Sequence, residues 1–173
     1  MRTWGIVLTS VIACISVAEG AVEDDLRDGD KYFEDGTWQK AAVAFDRAIG
    51  KAPGQVSAEA YGKRAAIYII LKDYKGGLEF IARAKARSSI LASAPELLEQ
   101  EALLLWETDH KEDAIKVAER VVAARPQAFT NQKLIGEYYA TRDPQRTITA
   151  YEAYLAYRPR APRGGTRGRP RTR

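Results

Sequence analysis

Few side chains in this sequence have the types and spacing that catalysis or metal binding requires. His110 is the only histidine, and Cys14, near the N-terminus, is the only cysteine. A metal centre or an acid–base pair built around histidine needs partners that one histidine cannot supply. His110 also follows Asp109, the expected N-cap of a helix, where the positive helix end disfavours a protonated imidazole. We therefore predict that His110 is a surface residue.

The acidic run EDDLRDGD, residues 23–30, is the part of the sequence that most resembles a cation site. Leu26 and Arg27 interrupt the ligand spacing of a calcium-binding loop, and an acidic helix start accounts for the same residues. The sequence also contains no phosphate loop and no GxSxG nucleophile turn. We predict no catalytic residue, no metal and no cofactor, and the protein is not expected to be an enzyme.

Residues 1–20 have the pattern of an export signal. Arg2 precedes an uncharged, mostly apolar stretch over residues 3–18, which leads into the small residues of a signal-peptidase site. This stretch is shorter than the roughly 20 apolar residues of a membrane-spanning helix. We predict that the signal peptide is cleaved and that the protein is periplasmic or associated with the bacterial envelope. Two alternatives stay open: a lipoprotein, in which VIAC at residues 11–14 is a lipobox and Cys14 is lipidated, and an uncleaved anchor.

Residues 158–173, RPRAPRGGTRGRPRTR, have almost nothing to bury, and we predict a disordered tail. The tail is strongly basic, whereas the rest of the chain is mildly acidic. It could bind nucleic acid or anionic lipid, lie on an acidic protein surface, or be a frame-shift or read-through product. Export argues against a nucleic-acid partner. The arginines concerned are Arg158, Arg160, Arg163, Arg167, Arg169, Arg171 and Arg173.

The composition between these two segments predicts one helical domain. Apolar residues make up 46% and charged residues 29% of the chain, the usual balance for a globular protein with a core. Helix formers are abundant, proline is scarce before the tail, and no run of alternating β-branched residues occurs. We predict an all-α fold over residues 21–157.

The stretch LRDGDKYFEDGTWQKAAVAFDRAIGKAP, residues 26–53, predicts a pair of antiparallel helices. Small residues at helical spacing let two helices approach closely, and aromatic rings fill the space beside the contact. A turn at Gly36 separates the helices, and Pro53 ends the second because proline lacks an N–H group. The residues that carry this pattern are Gly29, Tyr32, Trp38, Ala41, Phe45, Ala48 and Pro53.

The pattern recurs three more times along the chain. The second copy has Ala65, Tyr68, Tyr74, Gly77, Ile81 and Ala84; the third has Ala102, Leu105, Ala114, Ala118, Val121 and Pro126; the fourth has Gly136, Tyr139, Tyr151, Tyr154 and Pro159. The pattern resembles the tetratricopeptide repeat, a helix–turn–helix unit of about 34 residues. The copies are slightly further apart than in that family, and the fourth departs most. The resemblance implies a right-handed superhelical solenoid of about four repeats.

Two capping boxes are predicted in the third copy. Ser93 and Glu96 have the S-x-x-E spacing, and Asp109 and Glu112 have the same spacing. We therefore expect Ser93 and Asp109 to be the N-caps of the two helices of this copy.

The resemblance also implies that the first helix of each unit faces a concave groove that binds another protein. The expected partner-binding residues form an apolar strip flanked by carboxylates: Phe33, Glu34, Ile69, Ile70, Glu99, Leu103, Trp106 and Glu107. The remaining groove positions are Glu23, Leu26, Asp30, Glu59, Gly62, Ala66, Glu96, Thr130, Lys133, Glu137, Ala140 and Thr141. Because the Lys, Arg and Asn set of the family's carboxylate clamps is missing, we expect an apolar segment or helix with basic residues as the ligand.

These observations predict a scaffold or adaptor that binds another envelope protein through the groove. An alternative function is docking on anionic surfaces through the basic tail, with the helical body as a spacer. A further alternative for the groove is that its apolar residues complete the core and its acids form a solvated face.

Overall fold

The computed structural model describes the backbone of residues 5–158 and the side chains of residues 20–158. Its helices are α1 (Gly5–Glu34), α2 (Trp38–Lys51), α3 (Ala58–Ile70), α4 (Tyr74–Arg87), α5 (Ser89–Ser93), α6 (Pro95–Glu107), α7 (Lys111–Ala124), α8 (Phe129–Tyr139) and α9 (Pro144–Tyr157). No strand occurs in this range, and the predicted all-α fold is confirmed. The side chain of Cys14 and the tail from Pro159 onward lie outside the described residues.

The helices form antiparallel pairs, α1 with α2, α3 with α4, α6 with α7 and α8 with α9, as the repeat predicts. Glycines set the closest helix contacts. A Cβ atom on Gly29 would lie 2.8 Å from the ring of Phe45, and one on Gly77 would lie 2.8 Å from Leu104. Because these distances are too short for real Cβ contacts, the small residues allow the close approach that the pattern implied.

The extra residues between the second and third units form the short helix α5. The Ser88 hydroxyl accepts the N–H of Leu91 at 3.4 Å and caps this helix. Leu91 is buried in the core, so α5 is a packed element. The wider spacing of the units therefore reflects an inserted helix at this point.

Both capping boxes predicted for the third unit are wrong. The N-cap of α6 is Ala94, because the Ser93 hydroxyl instead donates to the carbonyls of Ser89 and Ile90 at 3.2 Å, at the end of α5. The N-cap of α7 is His110, which is exposed as predicted. Asp109 has a φ of 62° and forms the turn before the helix, so its side chain is not in an N-cap position.

The core consists of hydrophobic clusters that meet in α6. Leu97 and Leu104 of this helix belong to the large cluster formed with α2, α3 and α4. Ala102 belongs to a second cluster with α7, α8 and α9. Leu98 packs with Val121 in a small third cluster. Helix α6 therefore contributes side chains to the packing on both sides of it.

The fourth unit packs less completely than the others. Helix α9 buries Ala150, but Ile148, Leu155 and Tyr157 are 51%, 56% and 49% exposed. The Thr147 hydroxyl, at a position where the repeat usually has a small residue, donates to the Asp143 carbonyl within α9 at 2.9 Å. The departures from the pattern thus coincide with weak burial.

Helix α1 runs without interruption from Gly5 to Glu34. It joins the predicted signal segment to the first helix of the first unit, and no helix end marks the predicted cleavage region. Within the described range, no helix combines the length and the apolar composition needed to cross a membrane.

Candidate functional site

The first helices of the second and third units, α3 and α6, pack side by side and form the floor of a cleft. We call it the concave cleft; it has a volume of ≈ 200 Å³. A Cβ atom on Gly62 would lie 3.1 Å from the Glu96 carbonyl oxygen, so the two helices are nearly in backbone contact here. The cleft is lined by Phe33, Glu59, Gly62, Lys63, Ala66, Glu96, Glu99, Gln100 and Arg125.

Lys63, one of the two basic residues that line the cleft, forms ion pairs with two carboxylates. The Nζ atom of Lys63 lies 2.8 Å from Asp30 Oδ1 and 2.9 Å from Glu59 Oε1. Burial alone would lower the pKa of Lys63, but the hydrogen bonds to these two carboxylates outweigh it and raise the pKa. Lys63 therefore stays charged and joins α1 to α3 through Asp30.

Arg125, which follows α7, pairs with the acids of α6. Its Nη1 atom lies 3.2 Å from Glu96 Oε1 and 3.8 Å from Glu99 Oε2. Burial raises the pKa of Glu99, Arg125 acts in the opposite direction, and the neighbouring Glu96 raises the pKa further. Four carboxylates, including Asp30 and Glu59, thus face two cations, and the cleft has an excess of negative charge when Glu99 is ionised.

Replacing Glu99 by glutamine is expected to raise the free energy of unfolding at neutral pH. Because the pKa of Glu99 is raised in the folded state, the stability contributed by its neutral form is present at low pH and lost as pH rises through that pKa. The gain at pH 7 should be below about 1 kcal/mol, since solvent screens a partly exposed group. Urea unfolding at pH 4 and pH 7 measures it.

The exposed Glu79 of α4 offers a matched control for this prediction. Glu79→Gln removes the same charge outside the cleft and should change stability little at either pH. A loss of stability in Glu99→Gln at pH 7 would contradict the prediction, because it would mean that the ionised carboxylate is net stabilising.

The predicted groove residues fall into three groups. Phe33 and Glu99 line the concave cleft, together with Glu59, Gly62, Ala66 and Glu96 from the wider set. Ile69 is half-buried against the large core cluster, and Leu103 and Trp106 are half-buried against the second cluster. Glu34, Ile70 and Glu107 are exposed and do not line the cleft.

The half-buried residues therefore serve the core as well as the groove face. The indole of Trp106 is also covered by Lys111, whose Nζ lies 5.5 Å from the ring centroid. This placement agrees in part with the alternative that the apolar groove residues complete the core.

Sequence reasoning missed Lys63, Gln100 and Arg125 as cleft residues. Lys63 and Gln100 each follow a predicted groove residue directly in the sequence, so a wider window on each helix would have included them. Arg125 comes from the end of a second helix, where the groove pattern of first helices gives no signal. Its position next to Pro126, where α7 ends, was the available indication.

The acidic run of α1 is used in ion pairs. Asp25, 6% exposed, lies 2.9 Å from Arg47 Nε and 2.7 Å from Lys51 Nζ, and Asp24 pairs with Arg27. Burial opposes ionisation of Asp25, but the hydrogen bonds from Lys51 and Arg47 outweigh it and lower the pKa. No group of three or more His, Cys, Asp or Glu side chains suited to a metal occurs among the described residues.

Of the tail arginines, the structure describes Arg158, which is exposed with its guanidinium 5.7 Å from the ring of Tyr154. The others lie outside the described residues; they are Arg160, Arg163, Arg167, Arg169, Arg171 and Arg173.

No protein-family model and no curated protein matches this sequence. Solved structures do match it. MamA from Desulfovibrio magneticus RS-1, residues 41 to the end, has a TM-score of 0.59 at 18% identity over 79% of this chain and 73% of that chain. The first TPR of Spaghetti (RPAP3), bound to an HSP90 peptide, has a TM-score of 0.55 at 18% identity over 79% and 93%.

The TPR2B domain of yeast Sti1, in complex with pHsp70, has a TM-score of 0.52 at 16% identity over 80% of this chain and 98% of that domain. The TM-scores of 0.59, 0.55 and 0.52 show that the arrangement of the described helices is similar to that in these structures. The chain therefore has the tetratricopeptide-repeat fold.

Proposed function

We propose that this protein is a non-enzymatic adaptor that holds a segment of a partner protein in its concave cleft. The fold supports an interaction module, and the Spaghetti and Sti1 structures are complexes with an HSP90 peptide and pHsp70. The export pattern of residues 1–20 supports a partner in the bacterial cell envelope. Mass spectrometry of the N-terminus in envelope and cytoplasmic fractions tests this location.

The observation that carries the proposal is that the concave cleft has more acidic than basic side chains, and that these acids lie beside apolar side chains. Phe33 and Ala66 supply apolar surface, and Glu96 and Glu99 lie next to it with Arg125 as their cation. A basic side chain entering the cleft would relieve the repulsion between these acids and lower the pKa of Glu99. The cleft therefore fits an apolar segment that carries lysine or arginine.

The same charges disfavour an acidic ligand such as the SRMEEVD peptide held by Spaghetti. Lys63 and Arg125 are the cations of the cleft, and both are paired with its own carboxylates. An acidic peptide would have to displace these ion pairs and approach four carboxylates at once.

A pair of labelled peptides tests the proposal by fluorescence anisotropy. One alternates leucine and lysine, and the other has glutamate in place of every lysine. We expect the lysine peptide to bind the protein more tightly by about tenfold or more, since like charges in an interface cost several kcal/mol. Equal binding of the two peptides would contradict the proposal.

A blocking variant locates the site. Ala66→Arg adds bulk and positive charge inside the cleft and should weaken binding of the lysine peptide by about tenfold or more. Ala82→Arg makes the same change at an exposed position of α4 outside the cleft and should leave binding unchanged. If the glutamate peptide binds more tightly than the lysine peptide, and deletion of residues 158–173 abolishes that binding while Ala66→Arg does not, the basic tail is the binding element.

A further inference from the structure

The proposed adaptor function leaves the basic tail without a role. Residues 159–173, which we call the tail segment, consist of arginine, proline, glycine, threonine and one alanine, with no acidic residue. Arginine side chains bind most strongly to carboxylates and other anions. The arginines of the tail segment therefore need acidic partners; they are Arg160, Arg163, Arg167, Arg169, Arg171 and Arg173.

The tail segment begins on the same side of the chain as the concave cleft. The guanidinium carbon of Arg158 lies 5.7 Å from the ring centroid of Tyr154, and this centroid lies 6.3 Å from that of Phe129. Phe129 is the first residue of α8, and the turn before it starts at Arg125, which lines the cleft. The N–H group of Ala128 donates to the Arg125 carbonyl at 2.9 Å and closes this turn.

The tail segment is long enough to enter the cleft. These contacts, followed along the chain, place Arg158 within about 35 Å of Arg125. Residues 159–173 reach about 50 Å when fully extended, and a glycine-rich chain of this length has a typical end-to-end distance of about 20 Å. Because the available length exceeds the distance, the tail segment has an effective concentration of about 1 mM at the cleft.

The cleft offers accessible groups that match the tail segment. Its carboxylates outnumber its cations, and the side chains of Asp30 and Glu59 are 46% and 69% exposed. Phe33 and Ala66 are partly exposed in the same cleft. Guanidinium groups form paired hydrogen bonds with carboxylates, and proline-rich segments pack on aromatic side chains in grooves. The alternation of arginine and proline in residues 159–163, PRAPR, supplies both kinds of contact.

We propose that the tail segment docks in the concave cleft of its own chain and competes there with the partner protein. This inference rests on the proposed function, because both ligands use the same site. At an effective concentration of about 1 mM, a dissociation constant of about 0.5 mM would fill about two thirds of the clefts. The apparent affinity for the partner would then fall about threefold.

Paramagnetic NMR on the full chain tests the docking directly. A nitroxide is attached at Thr172→Cys, near the end of the tail segment, in a chain that also carries Cys14→Ser so that no other thiol is present. We expect the nitroxide to reduce the amide signals of Gly62 and Gln100 in the cleft by about half or more, since the tail segment would fill most clefts. The amide signal of Ala82, exposed on α4 outside the cleft, should keep most of its intensity.

Salt and a mixed sample identify the source of the signal loss. Salt at about 1 M should restore the cleft signals, because the Debye length is then about 3 Å and ion pairs are screened. The docking is contradicted if the cleft signals lose no more intensity than that of Ala82. A second sample mixes isotope-labelled chains without the nitroxide and unlabelled chains that carry it. Signal loss in this sample would mean that the tail segment binds a second copy, which would also contradict the proposal.

Peptide binding separates this inference from the proposed function. Deleting residues 159–173 should tighten binding of the leucine–lysine peptide by about threefold or more. A chain of full length with glutamine in place of every arginine of the tail segment should show the same gain. If the peptide binds all these chains equally, the proposed function stands and the inference is overturned. If it binds none of them, the proposed function fails, and the NMR experiment still decides whether the tail segment docks.

The two experiments together distinguish docking from general charge repulsion. A basic tail could repel a lysine peptide without entering the cleft. In that case the peptide would bind more tightly after the deletion, but the nitroxide would leave the signals of Gly62 and Gln100 unchanged. This combination would overturn the inference.

Discussion

Replacing Phe45 by alanine is expected to lower the free energy of unfolding by about 3–5 kcal/mol. The Phe45 ring is 0% exposed and fills the space left by the missing side chain of Gly29. Its removal leaves a cavity between α1 and α2 that the two helices cannot close. Urea unfolding followed by circular dichroism measures the change. Val43→Ala, on the same helix at 55% exposure, should change stability by less than about 0.5 kcal/mol.

A double-mutant cycle with Gly29 tests the reason for this loss. Gly29→Ala alone should destabilise, because the new Cβ would lie 2.8 Å from the Phe45 ring. In the Phe45→Ala background the clash is gone, and Gly29→Ala should stabilise through better helix propensity and a smaller cavity. If Gly29→Ala changed the free energy of unfolding equally in both backgrounds, the two residues would not be energetically coupled, and this explanation would be wrong.

Replacing Asp46 by alanine is expected to lower the free energy of unfolding by about 1–3 kcal/mol, because Asp46 is itself 51% exposed but its partner Arg64 is buried and would lose its counter-ion. The side chain of Arg64 is 9% exposed and depends on both oxygens of Asp46. Its remaining contacts are the Tyr68 hydroxyl at 3.1 Å and the rings of Tyr68 and Phe80, whose centroids lie 4.1 and 5.5 Å from the guanidinium carbon. Without Asp46 a guanidinium ion stays buried with no counter-charge.

The added substitution Arg64→Met should recover most of the stability lost in Asp46→Ala, since an apolar side chain of similar length needs no counter-ion. Asp113→Ala serves as the control, because Asp113 and its partner Lys116 are 61% and 73% exposed. It should cost less than about 1 kcal/mol. Equal losses for Asp46→Ala and Asp113→Ala in thermal unfolding would contradict the conclusion that buried Arg64 depends on Asp46 as its counter-ion.

The fold could be predicted from the sequence because its signals are local and repeated. Small and aromatic residues at helical spacing, such as Gly29 with Phe45, predict both the helices and their pairing. The capping predictions failed because each N-cap depends on the segment before it. The Ser93 hydroxyl is taken by the end of α5, and the left-handed backbone of Asp109 makes His110 the N-cap.

The candidate site could be predicted in part. Phe33 and Glu99 could be predicted from the sequence, because each lies at a groove position of a single helix. The ion pairs of Lys63 with Asp30 and of Arg125 with Glu96 join different parts of the chain, and nothing in a single helix indicates them.

The membership of α6 in every core cluster has a mechanical consequence. Leu97 and Leu104 face one half of the solenoid, Ala102 faces the other, and Glu96 and Glu99 on the same helix face the concave cleft. A displacement of α6 by a ligand in the cleft would strain both halves at once, because packed cores do not deform independently. We therefore expect a ligand in the cleft to alter the packing of both halves of the chain together, through α6.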